Sequence, residues 1–240
     1  MRNPRRVMLA QAYVLHHRPF RDSGRILEVL TREDGRLSIF ARGVRGPKAR
    51  FAALLQPFRL LLLSWSGRGE APSLSGAENT QDTGELPAQH LISGFYLNEL
   101  VLHLTTRHDP QPVLFDTYHH ALQALKAGAP LEPTLRIFEK RLLQTLGYGI
   151  DLLAEAMSGR RIEPEQYYHF RPGQGLFPAE GARADALAGR SLGSLANEEL
   201  HDARSLKDAR TLLQAALAHC LDGRELATRS VARSMARKGS

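Results

Sequence analysis

Residues 25–41 read RILEVLTREDGRLSIFA, and this stretch decides the fold class of the first third of the chain. From Arg25 to Thr31, Ile26, Glu28 and Leu30 fall on one face and Leu27 and Val29 on the other, the two-residue period of a strand. Asp34-Gly35 follows, the strongest short hairpin signal in the sequence. Arg36 to Ala41 then alternates again, with Leu37, Ile39 and Ala41 on one face. Upstream, Met8 to His16 is mostly apolar and stops at the turn signal Arg18-Pro19. Downstream, Gly43-Val44-Arg45-Gly46-Pro47 breaks the hairpin's second strand. Pro57 to Trp65 reads as a fourth strand, Gly67-Arg68-Gly69 as a turn, and Ala71 to Asn79 as a fifth strand. Five short strands in about eighty residues suit a small closed barrel, and the OB-fold is the common five-stranded form.

After Leu86-Pro87 the period becomes helical. The spacing predicts helices over 88–107, from Asp109-Pro110 to Ala127, and from Glu132-Pro133 to a stop at Gly147. A small hairpin is expected over 166–178 around Pro172-Gly173-Gln174, and one or two short helices over 180–204. Ser205-x-x-Asp208 resembles a capping box and opens a helix to Leu221, before Gly223. Residues 225–238 read as a last basic helix or tail. The expected class is therefore α+β: a five-stranded OB-fold barrel over 1–82, then an α-helical domain over 83–240 that carries the small hairpin.

Apolar content of 42 % excludes a disordered chain. No run approaches the ~20 apolar residues of a membrane helix, and the N-terminal segment lacks a signal-peptide core, so a cytoplasmic protein is expected. A single cysteine, Cys220, excludes an internal disulfide and a multi-cysteine zinc site. Net charge is +7 and unevenly spread. Residues 1–80 carry 14 Lys/Arg against 6 Asp/Glu, residues 81–223 carry 13 against 18, and residues 224–240 carry 5 against 1. A basic strand-rich head points to a polyanion partner.

The arrangement resembles the RecO family of recombination mediators. The resemblance runs through Val14-Leu15-His16-His17-Arg18-Pro19-Phe20, Asp22-Ser23-Gly24-Arg25-Ile26-Leu27, Thr31-x-x-x-Gly35-Arg36-Leu37 and Ala41-Arg42-Gly43-Val44-Arg45. It continues at Leu55-Gln56-Pro57-Phe58, Gly67-Arg68-Gly69-Glu70, Gly94-Phe95-Tyr96-Leu97-Asn98-Glu99-Leu100, Leu135-Arg136-Ile137-Phe138-Glu139 and Leu146-Gly147-Tyr148-Gly149. The resemblance implies DNA binding, strand annealing, and binding of the acidic C-terminal tail of the single-strand binding protein (SSB). It also implies a RecR partner in loading the RecA recombinase, action at the bacterial nucleoid, and no enzymatic activity. Many members carry four cysteines after the Leu-Gly-Tyr segment; this chain has none between Gly147 and Phe177, so no zinc or other cofactor is expected. Ala227 stands where a lysine is common.

The candidate DNA-contacting cations are Arg42, Arg45, Lys48 and Arg50, on a Gly/Pro-rich loop between two strands, with Arg18, Arg21, Arg32, Arg36 and Arg68 in or near other turns. Arginines on a glycine-rich loop can follow a phosphate backbone closely. Among the barrel aromatics Phe20, Phe40, Phe51 and Trp65, Phe40 and Trp65 read as core, and Phe51 beside the basic loop as the stacking residue. For the SSB tail the third helix offers Arg136 with Leu135, Phe138, Lys140 and Leu142, a cation beside apolar side chains that suits an acidic peptide ending in a carboxylate. The histidine pairs His16-His17 and His119-His120 lack metalloenzyme spacing, and no Walker loop or nucleophile elbow is present. Two other classes remain open on the residues: an RNA-binding OB-fold protein, and a hydrolase or nuclease built on Asp109 and Asp116.

Overall fold

The computed structural model describes residues 5–238, apart from 21, 23, 45–50, 68, 81–83, 182 and 184. The first five strands are β1 (Arg5–Phe20), β2 (Gly24–Thr31), β3 (Gly35–Ala41), β4 (Leu61–Gly67) and β5 (Ser73–Asn79). They close a barrel in the order β1-β2-β3-β5-β4, with the β3–β5 pair parallel. This is the OB-fold arrangement, and the chain is α+β as expected. The interior holds Val14, Leu27, Val29, Leu37, Ile39, Ala41, Leu61, Leu63 and Trp65, so the alternating faces of the hairpin sort as their pattern demands. Residues 57–60 do not join the fourth strand. Phe58 takes a left-handed φ of 67°, which turns the chain before β4 begins at Leu61.

The helices are α1 (Leu91–Leu104), led by a 3-10 turn at Ala88–His90, then α2 (Pro112–Lys126), α3 (Leu131–Thr145), α4 (Gly189–Asn197), α5 (Ala203–Cys220) and α6 (Ala227–Lys238). The hairpin appears as β6 (Tyr167–Arg171) and β7 (Gly175–Ala179), joined by a two-residue strand, β8 (Leu187–Ala188), that the sequence did not reveal. Gly147, at φ 82°, ends α3 as expected, with the Tyr148 amide donating back to the Leu143 carbonyl at 2.8 Å. Two starts differ from expectation. α5 is capped by Asp202, whose carboxylate accepts the Ser205 amide at 2.9 Å, so Ser205 is inside the helix. α2 begins at Pro112 and not at Asp109-Pro110, because the preceding segment is held on the barrel: the His108 amide donates to the Arg36 carbonyl at 2.8 Å.

The chain forms two compact units, Met1–Lys126 with Leu226–Ser240, and Ala127–Glu225. Compactness therefore does not follow the strand-to-helix boundary near residue 82. In the first unit, α1 and α2 cover part of the barrel's outer face. Asn98 donates to the Leu15 carbonyl at 2.8 Å and accepts the Tyr118 hydroxyl at 2.5 Å, while the Tyr13 ring meets Tyr118 edge-on. α6 returns to this unit. The Glu99 carboxylate accepts the amides of Ala227 at 2.6 Å and Thr228 at 3.0 Å, capping the helix and complementing its positive end. In the second unit α3 and α4 pack against α5.

Candidate nucleic-acid interface

The outer face of β1, β2 and β3 has two halves. Facing residues pair as Leu30↔Arg36, Glu28↔Ser38 and Ile26↔Phe40 across β2–β3, and as His16↔Glu28, Arg18↔Ile26 and Phe20↔Gly24 across β1–β2. The half near the β2–β3 turn is covered. Gly35, at φ 67°, lies so close to the segment before α2 that a Cβ would stand 2.2 Å from the Asp109 carbonyl oxygen. Thr31 ties the turn by donating to the Gly35 carbonyl at 2.9 Å and accepting the Asp34 amide at 3.1 Å. Those bonds account for the Thr31-x-x-x-Gly35 spacing.

The cations of this half are spent on internal partners. Arg36 donates to Glu28 at 3.2 Å, to the Thr105 hydroxyl at 3.0 Å and to the Thr105 carbonyl at 2.7 Å. Glu28 also accepts Arg107 and the Ser38 hydroxyl. Burial alone would raise the Glu28 carboxyl, but Ser38, Arg107 and Arg36 together hold it below its ordinary value. Arg32 forms a two-pronged pair with Asp116 of α2 at 3.1 and 2.9 Å, and its hydrogen bond holds the Asp116 carboxyl down. Arg32 and Arg36, both expected to contact DNA, are thus placed on the covered half and paired there. Asp116 is the guanidinium's counter-ion, and Asp109 accepts from Gln111 at 2.9 Å.

In the other half Phe40 is the hub among the described residues. The Phe40 amide donates to the Pro72 carbonyl at 2.8 Å, and Phe40 pairs with Ser73, which brings the β4–β5 connection beside β3. The Phe40 ring meets Phe20 edge-on at 5.3 Å, and the Arg42 guanidinium stands over it at 5.5 Å. Arg18 and Arg42 are exposed, and neither forms an ion pair with a described residue. His17 is held below its ordinary value by burial and then by the charges of Arg25 and His16. Arg21, Arg45, Lys48, Arg50 and Arg68 lie outside the described residues. By chain position they belong to the β1–β2, β3–β4 and β4–β5 connections.

One aromatic expectation is corrected, that of Phe40. Phe51 is half-buried and packs against the barrel core within the turn over residues 51–54. Phe40 is half-buried on the outer face; its place opposite to Leu37, Ile39 and Ala41 in the alternation is the sequence signal for this. Trp65 is core, 4 % exposed.

Two family models match the chain, Recombination protein O N terminal over residues 6–82 and Recombination protein O C terminal over 89–229. The chain belongs to the RecO family. It is similar to proteins named DNA repair protein RecO from three bacteria. The Methylococcus capsulatus protein is 44 % identical over 97 % of this chain and 96 % of its own length. That of Nitrosococcus oceani is 40 % identical, covering 98 % and 96 %, and that of Coxiella burnetii 38 %, covering 95 % and 98 %.

In the second unit the residues expected to hold the SSB tail are mostly buried. Leu135, Phe138 and Leu142 are core, and Lys140 donates to the Ala196 carbonyl at 2.8 Å and Glu198 at 3.1 Å. Arg136 is 4 % exposed and pairs with Glu139 at 2.9 Å through one nitrogen, while its Nε and Nη1 have no hydrogen-bond partner among the described residues. Among the described residues no group of three or more His, Cys, Asp or Glu could hold a metal, and no helix is long and apolar enough to cross a membrane.

Proposed function

We propose that this chain serves recombinational DNA repair by holding single-stranded DNA on the half of its barrel face around Phe40. Family membership supports the repair role. The carrying observation is the contrast within one barrel face: the arginines beside the β2–β3 turn are neutralised by Glu28 and Asp116, whereas Arg18 and Arg42 point to solvent around Phe40. Arg21, Arg45, Lys48, Arg50 and Arg68 extend this site by chain position. Nucleic-acid binding is assigned to residues 1–82 and partner binding to 83–240.

The mechanism involves no covalent chemistry. Phosphates exchange their counterions for arginines, and two captured strands brought together anneal. The helical part takes the acidic tail of SSB at Arg136, whose buried Nε and Nη1, without a partner among the described residues, suit a carboxylate. With RecR, the cytoplasmic complex loads RecA onto SSB-coated strands.

Anisotropy titrations of a labelled oligonucleotide across salt concentrations test the barrel. Arg18→Ala and Arg42→Ala should each reduce the salt slope by about one. Unchanged slopes would remove both residues from the interface. Binding of the SSB tail peptide should disappear on amidating its terminal carboxylate and in Arg136→Ala. The RNA-binding reading predicts that RNA competes better than single-stranded DNA at fixed salt; the names of the relatives favour DNA.

A further inference from the structure

We propose that a cleft in the second unit is a docking site for a partner protein that inserts a lysine side chain. The inference does not depend on the DNA-capture reading and concerns a different part of the chain.

The cleft measures about 480 Å³, a size ordinary for ligand pockets. The turn after α3, the β6–β7 turn and the end of α5 form its walls, and Ile150, Ala154, Phe170, Leu176 and Ala216 make it largely apolar. Backbone bonds fix these walls. The Tyr148 amide donates to the Leu143 carbonyl at 2.8 Å, the Ala156 amide to the Leu176 carbonyl at 2.8 Å, and the Gln174 amide to the Arg171 carbonyl at 2.9 Å. A preformed cleft spares an incoming side chain the cost of ordering its site.

Asp151 is the one Asp, Glu, Lys or Arg among the lining residues. Its Oδ1 accepts the amides of Leu153 at 2.9 Å and Ala154 at 3.1 Å, whereas its Oδ2 has no hydrogen bond or ion pair among the described residues. α5 ends in the same wall, at Cys220, and the C-terminal end of a helix also favours a cation. Apolar walls with a single carboxylate suit a long aliphatic stem that carries a positive head. An arginine fork seeks both oxygens of a carboxylate, and here one is already committed to two amides. The remaining oxygen suits the compact ammonium of lysine. An acidic peptide would meet a carboxylate in the cleft and no Lys or Arg.

NMR titrations of the isotope-labelled full chain test this with blocked pentapeptides of alanine that carry lysine, arginine, norleucine or glutamate at the centre. The lysine peptide should shift the amides of Gly149, Gly173 and Gly175 saturably. It should bind about tenfold tighter than the norleucine peptide, the worth of a charge-assisted hydrogen bond. Asp151→Asn keeps a carbonyl oxygen for the two capped amides, and should reduce the lysine peptide to the norleucine level. Absence of shifts at the three glycines overturns the proposal, as does equal binding of the lysine and norleucine peptides. An arginine peptide as tight as the lysine one overturns the choice of lysine. Spermidine that moves the same amides at lower concentration than the lysine peptide would assign the cleft to a free polyamine and overturn protein docking. Should Asp151→Asn fail to fold, the peptide series on the intact chain still decides.

Discussion

The two halves of the barrel's outer face are made by the same three strands and carry the same residue type, yet their arginines do different work. Near the β2–β3 turn, Arg32 and Arg36 meet Asp116, Glu28 and Thr105, and the segment before α2 lies against Gly35. Near the β1–β2 turn, Arg18 and Arg42 flank a pair of phenylalanines, and neither forms an ion pair with a described residue. Charge on a barrel is therefore a poor guide to a nucleic-acid site until its counter-ions are located. A paired arginine is already neutralised within the fold, and an unpaired, exposed one is available to a phosphate.

The largest effects should come from uncovering the covered half. Gly35→Ala forces a side chain into a left-handed residue and against the Asp109 carbonyl, and should cost about 3 kcal/mol or more in thermal or denaturant unfolding. Gly43→Ala meets the same backbone penalty at φ 60° but, among the described residues, nothing within 4 Å, and should cost about 1–2 kcal/mol. Equal costs would mean that the contact with the segment before α2 contributes nothing.

Glu28 comes next. Its carboxylate serves Ser38, Arg36 and Arg107, and only 13 % of the side chain is exposed. Glu28→Ala leaves Arg36 without its counter-ion and should cost about 2–4 kcal/mol. The carboxyl is held below its ordinary value of 4.5, so its contribution is complete above that pH and is lost as the pH falls through the depressed value. The melting temperature of the intact protein should therefore drop below that pH more steeply than that of Glu28→Gln. Parallel curves would show that the cluster does not couple to folding.

Much of this was legible in the sequence because strand alternation is a local property. The hairpin over 25–41, the inward set Leu37, Ile39 and Ala41, and the stop at Gly147 are all set by neighbours a few residues apart. What the sequence concealed depends on residues far apart in the chain. Arg32 finds Asp116 and Arg36 finds Thr105, 84 and 69 positions away, and no spacing rule marks such pairs. The capping of α6 by Glu99, 128 residues upstream of Ala227, is equally invisible to local pattern. Phe40 was within reach: its parity in β3 puts it outside, and only the general preference of aromatics for cores argued against that.

The smallest expected effect tests the comparison most directly. Arg32 lies on the covered half, and its pair with Asp116 is solvent-exposed, with 41 % and 43 % of the two side chains accessible. Exposed pairs contribute little to stability, so Arg32→Gln should leave the melting temperature nearly unchanged. It should also leave the salt slope of DNA binding where it was, since the guanidinium already faces a carboxylate. Arg42→Gln removes one cation from the same barrel at equal cost to net charge, and should lower both the affinity and the slope. If the two substitutions weakened binding equally, DNA would be responding to the protein's total charge, and the division of the barrel face into a paired half and a binding half would lose its functional meaning.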